Sequence, residues 1–304
     1  MHKIEIIETK TLLNYPESGQ EFTREQLIKF ARLLVLYQSG ELSFHEFKIK
    51  LTYALLNLVR TANVSKPENA QLLENINQIS KLNNQFFTSK REKGKEFKVV
   101  NMDFIINLLP TVSVNGKTFH GPTDALFNTV YGEYLQVIMH LNEFAVSGSE
   151  DSLNQLIATI YRPQKPNYNK LKHQADFDGD IRIKFNPNLT QNYAQDLAQL
   201  PFEVKYAIFL FVASSQHFIA NSNALDIGGG NTIDLTLLFS QQSNTTQPAN
   251  SLGMVGTLYS LAETKVFGTV KDVAEQNTYD ILAYLVNQKT EHDKLKRKNH
   301  ATTN

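Results

Sequence analysis

Two helix-start signals lie close together near the beginning of the chain and constrain its fold more than any other feature. Thr23 with Gln26, and Ser43 with Glu46, have the spacing of a capping box, in which each side chain accepts a hydrogen bond from the other residue's backbone amide. Apolar residues recur at helical spacing after each box, in TREQLIKFARLLVLYQ and FKIKLTYALLNLV. Only a short Ser-Gly turn separates the two runs, so the sequence predicts two helices packed as a hairpin.

Amphipathic patterns continue along most of the remaining chain. A third helix is predicted from Pro67 through AQLLENINQISKLNNQFF, because proline is favoured in a first helical turn. The terminal RKNHATTN predicts a frayed, disordered end. The other predicted helices are TDALFNTVYGEYLQVIMHLNEFAVSG, EDSLNQLIATIYR, QNYAQDLAQL, FEVKYAIFLFVASSQHFIAN, SLGMVGTLYSLAE and TVKDVAEQNTYDILAYLVNQKTEHDKLK.

The β signals are few. They lie in FKVV and in TVSVNGKTFHGP, where Asn115 and Gly116 predict a hairpin turn. Residues 163 to 187 are polar, rich in Pro and Asn and without helical period, which predicts a long crossover loop. The fold class predicted from these patterns is mainly α, with a bundle-like architecture, a small β-hairpin and long irregular loops.

Two polar stretches mark candidate boundaries. They are the charged TSKREKGKE at 88–96 and the polar SQQSNTTQPAN at 240–250. The sequence therefore predicts three regions: an N-terminal helical region at 1–90, a central helical core with the hairpin and an Asp-rich loop at 91–239, and a C-terminal helical pair with a disordered tail at 240–304.

Composition excludes several functional classes. Among 304 residues, Lys plus Arg number 30 and Asp plus Glu number 30, so no overall charge attracts the chain to nucleic acid or to an anionic membrane. The absence of cysteine excludes disulfides, thiolate zinc sites and a cysteine nucleophile. The N-terminus has no apolar region of a signal peptide, and YAIFLFVASSQHFIA is too short to span a bilayer. These features predict a cytosolic protein without nucleic-acid or membrane partners.

The stretch HQADFDGDIRIKF places Asp176, Asp178 and Asp180 at alternate positions. The string ADFDGD resembles the metal-holding loop of the large multisubunit RNA polymerases, and hard cations prefer such oxygen ligands. The match covers six residues only, however, and a short electroneutral chain lacks the basic channel that a polymerase needs. A metal site made of these three aspartates is therefore a weak candidate.

An EF-hand interpretation of the same stretch fails. Counting from Asp176, the sixth and twelfth positions of the loop are Ile181 and Pro187, where calcium loops need Gly and a bidentate Glu. Turn chemistry favours an Asp/Gly turn that leads into a short strand, IRIKF.

A second string, ALDIGGGNTIDL, resembles a phosphate-binding loop of the actin and Hsp70 type ATPases. Its matching residues are Asp226, Gly228, Gly229, Gly230 and Asp234. Those enzymes carry two such loops on paired α/β lobes, whereas the first 90 residues here predict helices without a Gly-rich turn. A motif counts only in its structural context, so the sequence predicts a Gly-rich surface loop.

No other pattern indicates catalysis. The eight histidines include no His-x-x-x-His or His-Glu-x-x-His spacing, and there is no Gly-x-Ser-x-Gly elbow. The sequence therefore predicts no catalytic residues, no cofactor and no enzymatic activity.

Six segments, in one order, resemble a single family. They are NYPESGQEFTREQ, VNGKTFHGPTDALFNTVYGEY, LIATIYRP, DGDIRIKFN, LPFEVKYAIFLFVASSQHFI and VFGTVKDVAEQNTYDILAYLVNQ. Together they are similar to a group of tail-gene-cluster proteins of tailed phages and prophages, chiefly of Bacteroidetes-type bacteria. The resemblance spans about residues 10 to 295. It departs at Gly19, where an aromatic residue is expected, and at 222–250, which has no counterpart.

The resemblance implies a function and partners. Genes of this group lie near the tape-measure gene, where tail-assembly chaperones are encoded, which implies a non-enzymatic assembly factor that binds a tape-measure or tail-tube protein in the host cytoplasm. A structural virion component and a metal-dependent enzyme using Asp176, Asp178 and Asp180 are the alternatives, and self-association is left open. The resemblance also implies that Asp180 and Arg182 pair to fix the crossover loop onto the helical core.

Overall fold

The computed structural model describes residues 1–6, 10–59, 66, 69–92, 94–239 and 253–302. It is 57% helical, and the strands within the described residues form only two-stranded antiparallel sheets. The mainly α fold with small hairpins that the sequence predicts is therefore confirmed, whereas the bundle-like packing and the three predicted regions stay predictions. The predicted helix start at Pro67 and the polar stretch at 240–250 lie outside the described residues.

The helices and strands are numbered in chain order. The strands are β1 (His2–Ile6), β2 (Thr11–Tyr15), β3 (Phe87–Glu92), β4 (Lys95–Val100), β5 (Thr111–Val114), β6 (Lys117–His120), β7 (Leu225–Asp226) and β8 (Thr232–Ile233). The helices are α1 (Arg24–Gln38), α2 (Phe44–Leu55), α3 (Ala70–Ser80), α4 (Tyr131–Ser147), α5 (Glu150–Ile160), α6 (Tyr168–Leu171), α7 (Pro187–Leu197), α8 (Phe202–Asn221), α9 (Thr236–Phe239), α10 (Gly253–Thr264), α11 (Val270–Glu275) and α12 (Thr278–Thr302).

The chain divides into two compact units. The first comprises residues 1–109 and 200–211. Both predicted capping boxes are present at the starts of α1 and α2, and these helices pack against each other as predicted. Aromatic rings that meet largely edge to face fill the core of this unit, the geometry that ring quadrupoles favour. They belong to Phe22, Phe30, Phe47, Phe86, Phe87 and Phe104.

The second unit comprises residues 110–199 and 212–304. Helix α5 packs between α4 and α7, and α11 and α12 also contact α4. The β5–β6 hairpin turns at Asn115 and Gly116 as predicted, both with positive φ. Buried apolar residues of α4, α8 and α12 form a common core, which includes Tyr131, Tyr134, Ile219, Ile281 and Leu282.

The sequence does not predict the β1–β2 hairpin, and it predicts only the FKVV part of the β3–β4 hairpin's second strand. Strands β1 and β2 pair at the N-terminus, and the buried Tyr15 hydroxyl donates to Asn83 Oδ1 at 2.6 Å. Within the charged stretch 88–96, predicted as a turn-like boundary, residues 88–92 instead lie in β3 and residues 95 and 96 begin β4, which continues into the predicted FKVV. The side chains of the charged stretch are nearly all exposed, so the pattern carries no alternation of apolar and polar residues that could reveal a strand.

The long helix predicted from Thr123 begins only at Tyr131. Residues Asp124–Leu126 form a single 3₁₀ turn, in which Ala125 and Leu126 have φ of 49° and 63°. Ala125 and Leu126 are buried, and the Tyr279 hydroxyl donates to the Ala125 carbonyl at 2.6 Å. This bond joins residues far apart in sequence, which is why the local pattern does not predict it.

Other helix boundaries also differ. Helix α7 begins at Pro187 rather than Thr190, because the Asn186 side chain caps the Asn188 amide. The helix predicted from 269 divides into α11 and α12, because the Gln276 carbonyl accepts from the Tyr131 amide instead of continuing the helix. Helix α12 then runs to Thr302, past the point where the sequence predicts disorder, since no Gly or Pro interrupts its helix-forming residues.

Gly19 lies where the resemblance predicts an aromatic residue, and its surroundings leave no room for a side chain. The glycine is buried, and a Cβ atom there would overlap the ring of Phe104, which occupies the space beside it. The Gly19 amide donates to Asp103 Oδ2 at 3.0 Å, which holds the two segments together.

We expect Gly19→Ala to destabilise the protein by about 1–3 kcal/mol through overpacking. The free energy of unfolding, measured by urea titration with far-UV circular dichroism, checks this. Gln20→Ala, at the exposed position next to Gly19 in the short 3₁₀ turn Gly19–Glu21, is the control and should stay within about 0.5 kcal/mol of the parent. Equal unfolding midpoints for the two variants would contradict the packing argument.

Candidate functional site

The three alternating aspartates lie on one turn but do not share a centre. Asp178 accepts two hydrogen bonds from Lys165 Nζ, each 2.6 Å long. Asp180 instead binds Arg182, and Asp176 is exposed. Gly179, with φ of 76°, makes the turn between them, as the predicted Asp/Gly turn requires. In the part of the chain that the structure describes, no three His, Asp or Glu side chains are grouped to hold a metal ion.

The predicted strand IRIKF is wrong. Residues 181–183 are extended but pair only at an isolated bridge between Gln164 and Arg182, with flanking bonds from the Lys165 and Ile183 amides. The facing segment contains Pro163 and Pro166, which lack the backbone N–H that a ladder needs. The crossover loop is therefore held by side chains more than by a sheet.

Arg182 is the centre of this attachment. Its side chain is 0% exposed, and it donates from Nε and Nη2 to both oxygens of Asp180 at 2.8–3.1 Å. Its Nη1 donates to Glu133 Oε1 at 2.8 Å and to the Ile160 carbonyl at 2.8 Å, and Nη2 also donates to the Asn128 carbonyl. The predicted pairing of Asp180 with Arg182 is confirmed. Its arginine is fully buried and does not lie at the surface of the unit.

A second arginine completes the cluster. Arg162 Nη1 donates to Glu133 Oε1 at 2.7 Å and to the Thr159 carbonyl, and its Nε donates to the Ile183 carbonyl. The four charged residues of this buried charge cluster, Glu133, Arg162, Asp180 and Arg182, cancel each other's charge. Paired burial of this kind avoids the large cost of leaving an isolated ion out of water.

The four members come from three parts of the second unit. Glu133 is in the first turn of α4, and Arg162 follows the end of α5. The Arg162 backbone pairs with His120 at the end of β6, with N···O distances of 2.8 and 3.0 Å. Asp180 and Arg182 come from the crossover loop. The cluster therefore joins α4, the end of α5, β6 and the loop through side-chain and backbone hydrogen bonds.

The charge states of Arg182 and Asp178 follow from their partners. Burial by itself would lower the pKa of Arg182, but the adjacent Glu133 and Asp180 carboxylates outweigh it and raise that pKa. At Asp178, burial opposes the shift, yet the hydrogen bonds from Lys165 and from the Asp180 amide lower the pKa below its usual value. Both residues therefore stay charged at neutral pH.

A pocket of about 510 Å³ opens beside the buried charge cluster. We call it the polar pocket. All four residues of the cluster line it, together with the first turn of α12 and the end of α11. The remaining charged residues on its wall are Lys165, Asp178, Lys184, Glu275 and Asp280.

A second pocket of about 610 Å³ lies next to it and is more apolar. We call it the apolar groove. Its wall includes Val130, Phe185, Pro187, Leu189, Leu258 and Ala274. The two pockets share Val130, Lys184, Phe185 and Glu275, so they are adjacent along one surface of the second unit.

The Gly-rich string forms a separate exposed loop. Gly228, Gly229 and Gly230 all have positive φ and connect the two-residue strands β7 and β8. The Asp226 carboxylate accepts from the Gly228 amide at 2.7 Å, and Asp234 accepts from the Thr236 amide at the start of α9. The predicted Gly-rich surface loop is confirmed, although its flanks pair as a short hairpin that the sequence did not indicate.

Sequence reasoning missed Glu133 and Arg162. A signal existed for Glu133, because it lies in phase with the apolar residues Val130, directly before α4, and Val137, on α4. A charged residue within such a stripe needs a partner. The partner itself, Arg162, could not be found this way, because its distance in sequence has no helical relation to Glu133.

No described helix combines the length and the apolar character needed to cross a membrane. No family model matches the chain, and searches of curated proteins and of solved structures return no similar protein.

We expect Glu133→Gln to lower the free energy of unfolding by about 3–5 kcal/mol, because it removes the carboxylate shared by two buried arginines. Urea unfolding followed by circular dichroism measures the change. The control is Glu143→Gln, on the same helix with its side chain 50% exposed, which should shift stability by no more than about 0.5 kcal/mol. A similar small shift in both variants would show that the cluster is not a stabilising contact.

His120 predicts a pH dependence of stability. Burial lowers its pKa, and the Asp180 carboxylate opposes the shift only in part. The unfolded chain therefore binds a proton at higher pH than the folded chain does. The stability that the folded chain gains while His120 is neutral in both states is fully present above the unfolded pKa of about 6.5. It is lost as the pH falls through the lower folded pKa.

His120→Gln should show a smaller loss of stability between about pH 7.5 and about pH 5.5 than the parent does. Parallel pH profiles of the urea unfolding midpoint in the His120→Gln variant and in the parent would contradict this prediction.

Proposed function

We propose that this protein binds a segment of another protein and acts as a non-enzymatic assembly factor, with a chaperone-like role in building the tail of a tailed phage. The partner is a tape-measure or tail-tube protein, and the binding takes place in the cytoplasm of the bacterial host. Neither nucleic acid nor a membrane is part of the proposed complex.

The first support is the order of the six segments that resemble tail-gene-cluster proteins. Each segment alone has low specificity, but their common order covers most of the chain. The function of that group follows from the position of its genes, so the resemblance supports a role in tail assembly through association.

The observation that carries the binding role is the pair of adjacent pockets on the second unit. The apolar groove provides surface that a partner can bury, and the polar pocket provides charged groups at its end. Burial of apolar surface beside placed polar groups is how peptide-binding grooves gain both affinity and specificity.

The chemistry of the polar pocket favours binding over catalysis. The carboxylates of Glu133 and Asp180 accept from two arginines, and Asp178 accepts from Lys165. A general base or nucleophile has to be available to a substrate. These carboxylates are instead occupied by neighbouring side chains of the same unit.

The proposal predicts that the tagged protein, purified from infected or induced host cells, brings a tail-tube or tape-measure protein with it. Mass spectrometry of the purified material identifies the partner. A parallel purification with Leu189→Gln, which places an amide on the wall of the apolar groove, should recover less of it. Val146→Gln, at a position that is 90% exposed on α4, is the matched control. Recovery of no tail component from cells that assemble tails would overturn the proposal.

Mass spectrometry of purified virions distinguishes an assembly factor from a component of the particle. We expect the finished particle to lack this protein, because a chaperone leaves when assembly is complete. Its presence at the abundance of a tail component would instead identify a connector or baseplate subunit.

A further inference from the structure

We propose that the two adjacent pockets bind one continuous peptide segment, which places apolar side chains in the apolar groove and a Lys or Arg side chain in the polar pocket. This inference rests on the proposed function, because it assigns a chemistry to the partner segment. It is carried by the charge balance of the polar pocket and by one exposed ion pair where the pockets meet.

The charges on the wall of the polar pocket do not balance once they are paired. The buried charge cluster is neutral, and Lys165 neutralises Asp178. Lys184 faces Glu275, with 3.6 Å between Nζ and Oε2, and Lys271 of the apolar groove lies 4.0 Å from Glu275 Oε1. Asp280 is exposed in the first turn of α12 and has no ion-pair partner within the described residues. The unmatched charge on the wall of the polar pocket is therefore the Asp280 carboxylate, and a positively charged group complements it there.

The Lys184–Glu275 pair lies where the two pockets join, since both residues line both of them. Their side chains are 81% and 48% exposed, and an exposed ion pair of this length contributes little to stability. A bound segment that crosses from one pocket to the other can therefore displace Lys184 at small cost. A cationic side chain of the segment then replaces it beside Glu275 and Asp280.

The apolar groove defines the rest of the segment. Phe185 is half-buried and Leu189 is 36% exposed, so both present apolar surface that a ligand can cover. Phe185 also lines the polar pocket, so apolar contact continues up to the charged end. Apolar side chains next to a basic one are therefore the sequence feature that this surface recognises, and an acidic residue at the same position is disfavoured.

The test uses the full chain and sets of short capped peptides that differ at one position. Each peptide carries the same apolar residues, followed by Arg, Gln or Glu. Fluorescence anisotropy measures the dissociation constants. We expect the Arg peptides to bind best and the Glu peptides to bind at least about tenfold more weakly, with a difference that shrinks in high salt.

Variants of the chain then locate the interaction. Glu275→Gln combined with Asp280→Asn should weaken the Arg peptides about tenfold and leave the Gln peptides almost unchanged. Lys184→Gln should strengthen binding of the Arg peptides, because it removes the side chain that the ligand displaces. A merely structural role for Lys184 would not produce tighter binding. Glu263→Gln on α10 and Lys170→Gln on α6 are exposed charge controls that line neither pocket, and both should bind as the parent does.

Equal binding of the Arg and Glu peptides, a preference for Glu, or no retention of any peptide would each overturn this inference. So would unchanged affinities in the Glu275 and Asp280 double variant. These results are separable from the proposed function. If the tagged double variant still recovers the same tail protein from host cells as the parent does, the assembly role stands and this assignment of the segment fails. If the peptides behave as expected and no tail protein is recovered, the peptide site stands and the tail role fails.

Discussion

The second unit depends most on the hydrogen bonds and ion pairs of the Arg182 guanidinium. It is fully buried, and its nitrogens donate to Asp180, Glu133 and the carbonyls of Ile160 and Asn128. An unpaired arginine could not be buried there, because the desolvation of an isolated charge costs far more than a folded protein can supply. The planar guanidinium also requires its partners at defined angles. One side chain therefore determines where the crossover loop, the start of α4 and the end of α5 lie relative to each other.

The two pockets follow from that arrangement. The loop that leaves Arg182 carries Lys184 and Phe185 directly onto the surface, where they line both pockets. On the other side, Gln276 bonds to the start of α4 and ends α11, which places Glu275 and Asp280 at the same opening. The charged groups that hold the unit together are paired with each other inside it, whereas Lys184, Glu275 and Asp280 remain exposed to solvent. Stability and recognition thus use different charged residues of the same wall.

Much of the helical structure could be predicted from the sequence, because its signals are local. The capping boxes at Thr23 and Ser43 and the hairpin turn at Asn115-Gly116 each involve residues a few positions apart. Strand β3 and the start of β4 could not be predicted, since exposed strands lack the apolar alternation that marks a half-buried one. The polymerase-like aspartates show the opposite error, in which a strong local string suggests a shared centre that the folded loop does not form.

The sequence by itself determined the mainly α class and the principal helices, because periodicity, capping and turn chemistry act over short distances, and its resemblance to tail-gene-cluster proteins implied the pairing of Asp180 with Arg182. Only the tertiary structure decided that this pair is buried, that Glu133 and Arg162 complete it, and that two pockets open beside it. Those features depend on residues tens of positions apart, brought together when apolar faces are removed from water. Neither periodicity nor spacing along the chain encodes which of the charged residues will then have to neutralise each other.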